Sequence, residues 1–102
     1  MIVHMVLLRV RRNVPMMEVE RVFAALAGLQ KKIPGITGIS WGANNSPTGL
    51  NRGFTHGVCM GLKDKAARDL YLRHPEHERV RGMLSTVLEG GVDAVLEFDY
   101  AA

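Results

Sequence analysis

The chain has 102 residues, 47% apolar and 23% charged, with a formal net charge of +3 and a single cysteine. That is the composition of one small folded domain over residues 1–102. It excludes a disordered segment, a disulfide-built scaffold and a strongly basic nucleic-acid binder. No apolar run approaches the ~20 residues of a membrane span, and His4 and Arg9 break the opening run before a signal-peptide pattern develops. A cytoplasmic protein is expected, without a nucleic-acid or membrane partner.

Ile2 to Val10 reads as a first strand. Ile2, His4, Val6 and Leu8 alternate with Val3, Met5 and Leu7, so both faces are apolar and both need cover. Arg11 to Pro15 breaks the run. Met16, Val19, Val22, Phe23, Leu26, Leu29 and Ile33 then recur at spacings of three and four, which predicts a helix with Pro15 in its first turn. Pro34-Gly35 stops it.

Ile36 to Trp41 is a second strand, and Gly42 to Gly53 a turn-rich loop that could gate a cavity mouth. Phe54 to Leu62 is a third strand. Its Phe54, His56, Val58, Met60 and Leu62 share one face. Thr55, Gly57, Cys59 and Gly61 form a small-residue face suited to close helix packing. Asp64 to His74 is a second helix. Pro75 disfavours the helical conformation at His74 and opens a third helix to about Leu88. Gly90-Gly91 ends it, and Val92 to Tyr100 is the last strand. The order βαββαβ predicts an α+β fold, the ferredoxin-like split sheet with helices on one face. The other face is apolar, so a second copy is the expected cover, giving a homodimeric barrel.

The polar residues that stand out are Tyr71, His74 and His77, together with His4 and His56 on apolar strands. A buried polar group without a partner costs ~1–3 kcal/mol, so such residues point to a polar-lined cavity. His77 falls in the first turn of the third helix, where the helix dipole disfavours imidazolium and leaves a base able to accept a proton. A phenol across the bend could hydrogen-bond a substrate oxygen. The pair suits proton abstraction beside a carbonyl; a structural alternative is that it ties the helix junction together. His4 and His56 could face a ligand or satisfy each other in the core. No histidine pair has a recognised zinc spacing, and the glycines match no phosphate loop, so neither metal nor cofactor is expected.

Several blocks carry a resemblance. They are Ile2-Val3-His4-Met5-Val6-Leu7-Leu8, Ile33-Pro34-Gly35-Ile36, Trp41-Gly42, Gly53-Phe54-Thr55-His56, Tyr71-Leu72-Arg73-His74-Pro75-Glu76-His77 and Phe98-Asp99-Tyr100. With them the chain resembles, end to end, the stress-responsive α/β-barrel (Dabb) family. The resemblance implies a dimeric ferredoxin-like barrel. Within the family, the plant polyketide cyclase that acts on a linear tetraketide is similar in the polar positions. That similarity implies a general base at His77 and a tyrosine at Tyr71 that positions and polarises the substrate. It also implies pocket-lining histidines at His4 and His56; His74 matches too and is placed with them as substrate-binding. The stretch Glu78 to Gly91 is longer than in that cyclase and the apolar lining differs, so substrate shape does not carry over. The implied function is a pocket for a small carbonyl or aromatic compound, with cyclase-like acid–base chemistry. The alternatives are a non-catalytic stress-associated binding or assembly protein and, further off, a cofactor-free monooxygenase.

Overall fold

The computed structural model describes residues 1–102. Its elements are β1 (Ile2–Leu8), α1 (Met16–Ala27) running into a 3-10 turn (Gly28–Lys31), β2 (Ile36–Ala43) and β3 (His56–Leu62), then α2 (Lys65–Leu72), α3 (Pro75–Ser85), a short 3-10 turn (Val92–Ala94) and β4 (Val95–Ala101). The strands form one antiparallel sheet in the order β2-β3-β1-β4. This is the ferredoxin-like α+β arrangement expected from the sequence. No helix is long and apolar enough to cross a membrane.

Periodicity and capping explain the helices. Val19, Val22, Phe23 and Leu26 of α1 are buried against the sheet. Pro15 stands at the cap position before α1, one step outside the expected first turn. Asp64 caps α2, its carboxylate accepting from the Ala67 backbone N–H at 2.8 Å. Gly35 adopts φ +92°, and a Cβ there would stand 2.7 Å from the Ala67 Cβ, so glycine is required where α1 hands over to β2. The third helix ends at Ser85 rather than near Leu88. A turn at Thr86 and Val87 follows, and Leu88 then makes a bridge with Val10, beyond the end of β1.

One assignment of faces is reversed. Val58, Met60 and Leu62 of β3 are buried beneath the helices, whereas Cys59, on the small-residue face, is exposed. The large side chains fill the helix–sheet layer, and the small ones lie on the open side, where Gly57 meets Leu7 and Gly61 meets Thr37. Met5, Leu96, Phe98 and Tyr100 stand exposed, Phe98 by 61%. Met5 and Phe98 are direct partners in the β1–β4 register, so the exposed apolar side chains form a continuous patch.

Candidate functional site

The site begins with the bend at Pro75. The residue before proline is driven to an extended conformation, and His74 has φ −73° and ψ 138°. The bend ends α2 and starts α3 within three residues, so Tyr71 and His77 face each other with ring centroids 4.4 Å apart. Both line a cavity of about 560 Å³ between the sheet and the helices. The strands supply His4, Val6, Met60 and Glu97; α3 supplies Val80 and Arg81; Gly90, Gly91 and Val92 form part of the rim.

His77 Nδ1 lies 3.2 Å from the Leu72 carbonyl oxygen. A carbonyl only accepts, so Nδ1 donates, and the neutral ring keeps its lone pair on Nε2. Burial is the main influence on His77 and lowers its pKa from the ordinary 6.5; the Leu72 carbonyl and the charges of Glu78 and Glu97 oppose that shift. The helix dipole was the expected cause, but burial carries the effect. Tyr71 is 3% exposed, and burial, seconded by Glu97, pushes its phenol up to about 12. It therefore stays a hydrogen-bond donor at neutral pH.

His4 is 3% exposed and is satisfied from the neighbouring strand. Asp99 is its direct partner in the β1–β4 register, and Asp99 Oδ1 lies 2.6 Å from His4 Nδ1. Arg68 of α2 donates to the other carboxylate oxygen at 3.4 Å. The carboxylate accepts, so His4 Nδ1 is the donor. The His4 ring meets Tyr71 edge-on at 5.7 Å. Strand, carboxylate, imidazole and phenol are thus linked in series.

The structure brings His4, Tyr71 and His77 together. It does not bring His56 or His74 to this cavity. His56 shares the helix-facing side of the sheet with His4, but the antiparallel register pairs His56 with Leu8 and His4 with Met60. Four residues along a strand is about 13 Å. His56 stacks on Phe23 at 5.3 Å, hydrogen-bonds Thr55 through Nδ1 at 2.8 Å and lines a separate groove with Asn44 and Asn51. The two strand histidines do not satisfy each other. His74 is a helix cap: its Nδ1 accepts from the Glu76 backbone N–H at 3.1 Å, so that face of the ring is taken up by α3. The loop from Gly42 to Gly53 borders the His56 groove rather than the larger cavity. Sequence reasoning gave no role to Glu97, Arg81 or Asp99. The polar spacing of Glu97 and Asp99 in an otherwise apolar strand was the available signal.

The profile of the Stress responsive A/B Barrel Domain family, Dabb, matches residues 2–102. The chain belongs to this family. Among solved structures, this Dabb chain is similar to a dimeric ferredoxin-like protein of unknown function from Jannaschia sp. CCS1. They share 31% identity, 99% of this chain and 98% of that one, with a TM-score of 0.87. A Dabb family protein with a ferredoxin-like fold from Mesorhizobium loti is 25% identical over 99% and 95% of the two chains, with a TM-score of 0.78. The hydroxynitrile lyase of Passiflora edulis is 19% identical over 97% and 90%, with a TM-score of 0.82, and shares the fold. No protein with a curated description matches.

Proposed function

We propose that this Dabb protein is a homodimer that binds a small carbonyl compound in the helix–sheet cavity and does acid–base chemistry there. The observation that carries this reading is the 4.4 Å contact between Tyr71 and His77 on the cavity wall. His77 Nε2 takes a proton from the carbon beside the carbonyl. The C–H pair moves into the carbon–carbon bond, and the carbonyl oxygen becomes an enolate oxygen. The Tyr71 hydroxyl donates to that oxygen. The enolate carbon then attacks a second carbonyl of the same ligand, and the proton held by His77 returns to the new alkoxide, as in a polyketide cyclase. His4, fixed by Asp99, lines the cavity beside Tyr71 and orients the ligand. The single domain over residues 1–102 acts in the cytoplasm, in keeping with a lone, unpaired thiol at Cys59.

The apolar sheet face favours a second reading, in which assembly is the function and the Tyr71–His77 pair only ties the helix junction. A thermal-shift screen with β-keto acyl and phenolic compounds, run on wild type and His77→Ala, separates the two. A compound that stabilises the wild type and not the variant supports the pocket. Equal shifts in both, or none in either, support assembly.

A further inference from the structure

We propose that Glu97 makes the cavity selective for ligands that carry a protonated amine beside an apolar body, and that it discriminates against carboxylates; this rests on the reading of the cavity as a ligand site. The helix-facing row of β4 is Val95, Glu97 and Asp99. Val95 packs against the core, and Asp99 holds His4 and Arg68. Glu97 lines the cavity and takes part in none of the chain's ion pairs. Its register partner is Val6, so the carboxylate stands beside an apolar wall. The nearby permanent cation, Arg81, lies 3.7 Å from Glu78 and does not pair with Glu97.

The ionisable groups on the wall are His4 of β1, Tyr71 of α2, His77 and Arg81 of α3, and Glu97 of β4. Glu97 lines the same cavity as Tyr71 and His77, two residues along β4 from the Asp99 that holds His4, and its charge acts to raise the pKa of both Tyr71 and His77. An ammonium group next to Glu97 gains a partner the chain leaves unfilled; a carboxylate there meets a like charge. Glu97 is solvent-accessible, so the gain is that of a partly screened pair.

The test uses two phenols of one shape and opposite charge: tyramine, and phloretate, which has a carboxylate in place of the ammonium. Affinities are measured by calorimetry for wild type and Glu97→Gln. Tyramine should bind the wild type more tightly than phloretate, and the ratio should fall about two- to fivefold in the variant. In the ligand-free protein, the His77 titration followed by NMR should move to lower pH in Glu97→Gln, which a purely structural role would not produce. An unchanged ratio with binding intact, or an unmoved His77 titration, overturns the Glu97 assignment and leaves the cavity reading standing. Failure of both phenols to bind the wild type overturns the amine preference, and the carbonyl-pocket reading then stands or falls on the β-keto acyl compounds of the thermal-shift screen.

Discussion

The rings of Tyr71 and His77 lie 4.4 Å apart, tilted by 41°, on opposite sides of the bend made by Pro75. Neither helix alone could set that geometry. Tyr71 belongs to the last turn of α2 and His77 to the first turn of α3. Burial then gives the two groups complementary states: a phenol that keeps its proton and an imidazole that gives its proton up readily.

Those states predict how stability varies with pH. Burial holds His77 and His56 below the ordinary histidine value of 6.5. Unfolding returns both to that value, so near and below it the unfolded chain binds protons that the folded chain does not. The contribution is fully present above pH 6.5 and is lost as pH falls through the folded values. The urea midpoint should therefore be lower at about pH 5.5 than at about pH 7.5, and His77→Gln should flatten the dependence. A midpoint equal at both pH values would contradict the burial of these rings.

The His4–Asp99 hydrogen bond is part-buried, with His4 the buried partner, and removing Asp99 strands the imidazole. Asp99→Leu should cost about 1–3 kcal/mol in denaturant unfolding. The double variant with His4→Leu should lose less than the sum of the two single changes, because it leaves neither polar group unpaired. Additivity would mean that the two side chains do not interact in solution.

His74 should behave as a cap. His74→Ala should cost about 0.5–2 kcal/mol, and His74→Asn, which offers another capping acceptor, should recover most of it. Ligand affinity per folded molecule should not change in either variant. A selective loss of binding in His74→Asn would return His74 to the substrate side.

Much of the fold was legible because its signals are local. Alternating apolar runs, the helical stripe from Met16 to Ile33 and the Pro34-Gly35 and Gly90-Gly91 breaks give the element order. The pairing register is not local. It places His4 beside Asp99 and carries His56 away from both, and no spacing in the sequence reports it. The faces of β3 were misread because two-residue alternation separates Val58 and Met60 from Cys59 and Gly61 without saying which set meets the helices. β4 inverts the usual rule: Glu97 and Asp99 face the helices while Leu96, Phe98 and Tyr100 stand exposed. Charged residues normally read as solvent-facing; Glu97 is solvent-accessible, and nothing in its spacing says that the solvent it meets is that of the cavity.

The same inversion predicts assembly. A stable dimer buries about 1,600 Å² in total, and a sheet face carrying Met5, Leu96, Phe98 and Tyr100 suits such an interface. Phe98→Glu should give a monomer in analytical ultracentrifugation at micromolar concentration. Cys59, on that face, should react with a thiol reagent faster in the variant than in the wild type. A wild type that sediments as a monomer would contradict the dimer.

The most direct test of the central claim is α-proton exchange. Wild type, His77→Ala and Tyr71→Phe are incubated in D2O with simple ketones and β-keto thioesters, and loss of the α-proton signal is followed by NMR. Wild type should accelerate exchange of at least one compound. His77→Ala should lose the acceleration by about 10²–10⁴-fold, and Tyr71→Phe should lose part of it. Exchange catalysed equally by wild type and His77→Ala, or by neither, would contradict the assignment of His77 as the base.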